Sequence, residues 1–264
     1  MAIKVLYYDG YSEFDRAFET YIFADSHGHM LEDCGEEFGI FNFSDPSDSY
    51  MDMLRKVKYT IAHSKVKRVI LSADRHTLTT YREANDNRDR SAIYATQADY
   101  ESSYQRFLER YVRRYIPLLH GKSRDALLMH IKRLKPKTKN SALDWVDKTS
   151  EERERKAKLR AEIHFGDSER SEKMEQYLLE ILSICEKHHI EVVGLKFPLT
   201  PSYRSTLSGK GFHTDSLFIV RDIPVIDFTN IFDEQPDLFR DQDHLNEFGA
   251  KEFTFILTDS LETR

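Results

Sequence analysis

Residues 18–28 read FETYIFADSHG, an aromatic and β-branched run that stops at Asp25, Ser26, His27 and Gly28. A short apolar run ending at turn-forming polar residues marks a strand buried on both faces. Four later segments repeat the pattern. Residues 38–43 (FGIFNF) lead into Ser44-Asp45-Pro46-Ser47, and residues 67–73 (KRVILSA) into Asp74-Arg75-His76. Residues 190–197 (IEVVGLKF) lead into Pro198, and residues 223–228 (IPVIDF) into Thr229-Asn230. Helical stretches lie between them. Residues 47–63 open on a capping serine, Ser47. Residues 171–188 place Met174, Tyr177, Leu178, Ile181, Leu182 and Cys185 on one face, and residues 246–261 read as a terminal helix. Strands alternating with helices give an α/β fold: three layers, α/β/α, around a five-stranded parallel sheet of flavodoxin-like order 2-1-3-4-5.

Residues 77–166 interrupt this rhythm. They are rich in Arg, Glu and Lys and contain no convincing strand, while residues 97–119 and 143–163 read as helices. The expectation is one domain over residues 1–264 with a helical insertion at 77–166, serving as a lid or docking element. The charge run 151–160 alternates in sign and reads as a solvated helix face. Tyr100, Tyr104, Tyr111 and Tyr115 read as core, with a sugar-stacking wall as the other reading.

The chain has 264 residues, 40% of them hydrophobic and 12% aromatic, enough to build a core. Its 39 basic and 45 acidic residues leave a net charge of −6, which excludes a chain held on nucleic acid by bulk positive charge. No apolar run reaches the roughly 18 residues of a membrane span, and the N-terminal stretch lacks a signal-peptide core. The expectation is a soluble chain, cytoplasmic by default, or of the cell envelope if an anchor lies outside this sequence. Two cysteines, Cys34 and Cys185, are too few for a disulfide scaffold and read as free thiols.

Two short motifs fall where an open α/β sheet places its ligands, beyond the carboxyl ends of strands. One is Ala24-Asp25-Ser26-His27-Gly28. The other is Asp241-Gln242-Asp243-His244-Leu245-Asn246, after the last strand and before the terminal helix. A serine hydroxyl needs a neighbouring base to become a nucleophile, and histidine is that base when a carboxylate fixes its tautomer. Ser26 and His244 are 218 residues apart, but the topology brings both loops to one sheet edge.

The pairing of Ala-Asp-Ser near one end with Asp-x-x-His near the other is similar to the SGNH (GDSL) hydrolase superfamily. The resemblance covers residues 21–78 and 171–261 and leaves out the insertion. It implies Ser26 as nucleophile, His244 as base and Asp241 as orienting acid, the Asp-x-x-His spacing selecting Asp241 over the adjacent Asp243. It also implies an oxyanion hole, where this chain departs from the family. Ala24 replaces the family's first glycine. No glycine occurs in Asn42 to Ser47, and no asparagine in Ser72 to His76. The Ser26 backbone N–H is one expected donor. A backbone N–H near Ser44 and Ser47 is a second, with Arg75 or His76 in place of the third, and His27 is expected to line the cleft. The stretch 190–203 and DQDHLNEFGA at 241–250 resemble the O-acyltransferases and esterases of bacterial cell-surface polysaccharide modification. That likeness implies an acylated carbohydrate or other ester substrate, partner proteins of such a pathway, and no cofactor. The reaction is an esterase, deacetylase or O-acetyltransferase; a catalytically degenerate binding module is the rival from another class.

Three look-alikes compete. Gly166-Asp167-Ser168 is a literal Gly-Asp-Ser, but it follows a charged helical run, and its serine or Ser171 reads as a helix cap. Ala24-x-Ser26-x-Gly28 resembles a nucleophile elbow, which needs several strands before it. His27 and His29 have ligand-like spacing but no third ligand nearby in sequence, so no metal is expected.

Overall fold

The computed structural model describes residues 11, 13–100, 102–113 and 145–263. Five strands form one sheet: β1 (Thr20–Phe23), β2 (Ile40–Asn42), β3 (Arg68–Ser72), β4 (Glu191–Lys196) and β5 (Val225–Asp227). Their order is β2-β1-β3-β4-β5 and every pairing is parallel, so the fold is α/β with the order 2-1-3-4-5 expected above. Each strand is shorter than its apolar run, because the ends of the runs serve in turns.

Alternation along the strands divides the core in two. Tyr21, Phe23, Phe41, Val69, Leu71 and Val192 face one layer of helices, α2 (Tyr50–His63) and α4 (Glu172–Lys187). Ile22, Ile40, Ile70, Val193, Leu195 and Ile226 face the other layer, where Phe253, Leu257 and Leu261 of α6 (Glu247–Glu262) pack. A run apolar at every position is therefore what a strand covered on both sides requires.

Three expected helices differ in detail. The expected cap Ser47 has φ +73°, outside helical space, so α2 begins later. Ser49 caps it, its hydroxyl accepting from Asp52 N–H while Asp52 accepts from Ser49 N–H. The expected helix 97–119 is broken. A single turn at Gln97–Asp99 ends at extended Tyr100, and a new helix, Ser103–Phe107, starts under a Ser102 cap. Tyr100 is buried, but Tyr104 and Tyr111 are 70% and 51% exposed, which corrects their reading as core; Tyr115 lies outside the described residues. The expected helix 143–163 is a turn at Trp145–Asp147 followed by α3 (Ser150–Phe165), capped by Thr149. Within α3, Ala157 and Ala161 pack on Leu199, Leu207 and Tyr203, the last from α5 (Pro201–Thr206). Gly166-Asp167-Ser168 lies between helices; Ser171 caps α4.

Candidate active site

In order 2-1-3, the chain leaves β1 toward one side of the sheet and β3 toward the other. The crevice beyond their carboxyl ends is the ligand position of such folds. Ser26 sits there, first residue of α1 (Ser26–His29), a one-turn helix. Asp25 caps that turn: its Oδ1 accepts from the His27 backbone N–H at 3.1 Å. Nothing larger than glycine fits at Gly28, since a Cβ there would lie 2.6 Å from both Ala24 Cβ and Ser44 Oγ. Gly28→Ala must push this turn off β2. It is expected to cost about 1–3 kcal/mol in denaturant unfolding and to lower any Ser26-dependent turnover.

His244 arrives from the far end of the chain. Its loop is folded by one carboxylate oxygen: Asp241 Oδ1 accepts from the backbone N–H of Asp243 (3.2 Å) and of His244 (3.0 Å). The same oxygen lies 2.8 Å from His244 Nδ1. This gives the Asp-x-x-His spacing a physical meaning, for one side chain both turns the loop and holds the ring. Asn246 then caps α6 through the N–H groups of Phe248 and Gly249. A carboxylate only accepts, so Nδ1 carries the proton and Nε2 presents its lone pair. Nε2 is 2.9 Å from Ser26 Oγ. Serine, imidazole and carboxylate thus lie in a continuous hydrogen-bonded line.

Around this line is a buried charged shell. His27 Nδ1 donates to Asp74 Oδ2 at 2.8 Å, and its Nε2 is 3.6 Å from Asp243 Oδ2. His76 Nε2 donates to Asp25 Oδ2 at 2.6 Å, and Arg82 donates to the same oxygen at 2.7 Å. Arg160 Nε donates to Asp243 Oδ2 at 2.7 Å. Asp74 also accepts from the Phe197 N–H at 3.2 Å, tying β4 to the site. Of the expected oxyanion and cleft residues, His27 and His76 are in this shell, their rings 5.0 Å apart. The Ser44 backbone N–H, the expected donor, is taken by Asn42 Oδ1 at 3.2 Å, and Ser44 Oγ accepts from Ala24 N–H, so Ser44 braces the end of β1. Arg75 is turned to the carbonyls of Leu207 and Lys210. Ser47 lies in the turn before α2. The Ser26 N–H, in the first turn of α1, has no intrahelical acceptor.

Burial opposes charge on all these groups, yet it does not win everywhere. It pulls His244 down, but the Asp241 and Asp243 carboxylates outweigh it and raise its pKa above the usual histidine value. His27 is raised well above its usual value by Asp25 and Asp74 against the same burial. For His76 burial prevails over the Asp25 carboxylate and the pKa falls below the usual histidine value. Burial would raise Asp25 and Asp243, but His76 and Arg82 hold the first well below the carboxylate range, and His244, His27 and Arg160 the second.

Two groups have a metal-ligand donor set, their ligand atoms within 4.8 Å of one another: Asp25, His27 and His76, and His27, Asp243 and His244. Most of their atoms take part in the contacts just described; His27 Nε2 is buried and has no hydrogen-bond partner among the described residues. Sequence reasoning singled out neither Arg82, Asp74 nor Arg160, and none of them shows a local signal beyond its charge.

No protein-family model matches the chain, and no curated protein does. Among solved structures it is similar to a protein assigned to the G-D-S-L lipolytic family from Desulfitobacterium hafniense, at 10% identity and a TM-score of 0.44. That match covers 91% of this chain and 98% of the other. A protein assigned as an acylhydrolase from Bacteroides fragilis matches at 8% identity and a TM-score of 0.43, covering 97% and 93%. A GDSL-like lipase from Bacteroides thetaiotaomicron matches at 8% and 0.44, covering 95% and 92%.

Proposed function

We propose that this chain is a serine ester hydrolase or acyltransferase of SGNH type. The observation that carries the proposal is the line Ser26 Oγ–His244 Nε2–Asp241, with separations of 2.9 and 2.8 Å. The Ser26 hydroxyl passes its proton to His244 Nε2 as Oγ bonds to the ester carbonyl carbon. Asp241 holds the ring and stabilises the imidazolium. The Ser26 N–H faces the developing oxyanion. Collapse breaks the ester C–O bond, and His244 protonates the departing alcohol oxygen, leaving an acyl-Ser26 ester. An incoming hydroxyl then gives its proton to His244 Nε2 as its oxygen bonds to the acyl carbon; the Ser26 Oγ–acyl bond breaks, and His244 returns the proton to Oγ. Water makes the reaction hydrolysis; a sugar hydroxyl makes it O-acyl transfer. An acylated carbohydrate is the substrate class suggested by the likeness of residues 190–203 and 241–250 to polysaccharide-modifying enzymes. In the described residues no helix is long and apolar enough to cross a membrane.

Only neutral His244 can accept the serine proton. Because its pKa is raised, more alkaline conditions are needed to empty it. For p-nitrophenyl acetate, kcat/KM is expected to rise with pH through a midpoint above the ordinary histidine value of about 6.5. A midpoint below that value would place the base elsewhere.

One observation favours a second reading. Among the described residues the Ser44 N–H is occupied and Arg75 is held by backbone carbonyls, so two of the expected oxyanion donors are engaged elsewhere. A binding module that has kept the fold would show no Ser26-dependent turnover of p-nitrophenyl acetate at any pH. Adding an alcohol acceptor separates the two enzymatic forms: a transferase yields acylated acceptor faster than free acid.

A further inference from the structure

The His244 imidazole faces two carboxylates. Asp241 Oδ1 is nearer, at 2.8 Å, with its side chain one-third exposed; Asp243 Oδ1 is 3.3 Å from the same nitrogen and fully buried. Asp243 is held from both ends. Gln242 donates to Oδ1 at 2.7 Å, and Arg160 donates to Oδ2 at 2.7 Å. Arg160 comes from α3, far from both motifs in the chain, and the Ala157 and Ala161 contacts with α5 fix the helix that carries it.

We propose that Arg160 is a positioning residue of the reaction: from the segment inserted between β3 and β4, it anchors Asp243 as a second carboxylate beside the His244 imidazole. This rests on the catalytic reading of His244. By gripping Oδ2, Arg160 keeps Oδ1 at 3.3 Å, so the Nδ1–H remains with Asp241. Its positive charge also offsets part of the field that Asp243 exerts on the imidazolium. The segment between β3 and β4 is then part of the catalytic base and not merely a cover over it.

Other charged or titratable groups among the described residues lie around His244. Asp241 and Asp243 share its loop, and Arg240 there lies 3.5 Å from Asp241 Oδ2. His27 from α1 is 5.4 Å away, ring to ring. Behind them are Asp74, which pairs with His27, and from α3 His164, which donates to or accepts from Tyr203 of α5. Arg160→Gln changes only one of these charges.

The test is the titration of the His244 ring by NMR, assigned with His244→Gln, together with the pH profile of kcat/KM for p-nitrophenyl acetate. In Arg160→Gln the uncompensated Asp243 stabilises the imidazolium, so the His244 midpoint moves to higher pH. The loss in kcat/KM is then several-fold and greatest at low pH. Arg160→Lys restores the midpoint. Should Arg160→Gln fail to fold, Asp243→Asn reads the same contact with opposite sign, moving the midpoint down. An unmoved midpoint in folded Arg160→Gln overturns the proposal, as does a loss of rate equal at every pH. Absence of Ser26-dependent turnover in the unaltered protein would instead defeat the esterase reading, while the NMR midpoint still reports on Arg160.

Discussion

Ser26→Ala leaves a folded protein and removes ester turnover by a factor of about 10⁴ or more, to the level of background hydrolysis. The side chain is only partly buried, and within the described residues the one hydrogen bond its hydroxyl makes is to His244 Nε2. Removing Oγ therefore costs the fold little and the chemistry everything. His244→Ala is expected to lose nearly as much, because the serine then keeps its proton. The two losses do not add, since each removes the same proton transfer. Initial rates with p-nitrophenyl acetate, paired with a thermal unfolding curve for each variant, check this. Residual turnover of Ser26→Ala within tenfold of the unaltered protein would mean that another nucleophile does the work.

Asp25→Ala is expected to be the most destabilising single change near the site, at about 3–5 kcal/mol by denaturant unfolding. The Asp25 carboxylate is wholly buried and meets Arg82 at 2.7 Å, His76 at 2.6 Å and the His27 N–H. Its removal strands a buried guanidinium and uncaps the turn that carries Ser26. The pH dependence has a defined sign. The folded pKa of Asp25 lies well below its ordinary value, so its contribution is complete above about pH 4. That contribution is lost only as pH falls through the depressed folded value. The stability gap between the unaltered protein and Asp25→Ala is thus expected to be flat at neutral pH and to close in strong acid. A loss under about 1 kcal/mol would show that Arg82 finds other partners or water.

The sheet was legible because its signal is local. Each strand is an apolar run ended by Asp, Ser, Pro or Thr-Asn, and residues such as Ile22 and Tyr21 need only alternate to face the two layers. Helix starts were less legible. Ser47 and Ser49 are both serines two residues apart, and only the backbone twist at Ser47 shows which one caps. The break at Tyr100 depends on Thr96 and Ser102 each capping a separate turn within a sequence that reads as continuous helix.

The site divides the same way. Ser26, Asp241 and His244 stand in short motifs at strand and helix ends, and the structure brings them within hydrogen-bond reach. Arg160 could not be read out, because it lies in a run of alternating charges whose neighbours Glu151, Arg155 and Lys158 are exposed. The packing of Ala157, Ala161, His164 and Phe165 turns one face of that helix inward. Arg82 and Asp74 carry no motif at all, and their roles arise from which loops meet beyond β1 and β3. Ser44 follows β2, but its N–H is taken by the Asn42 side chain and its hydroxyl accepts from the Ala24 N–H.

The most direct measurement is covalent. Incubation of the folded protein with a fluorophosphonate, followed by proteolysis and mass spectrometry, should find the phosphonyl group on Ser26. The adduct should disappear in Ser26→Ala and be strongly slowed in His244→Ala. An adduct on Ser168, or no adduct on a protein shown to be folded, would contradict a Ser26 nucleophile.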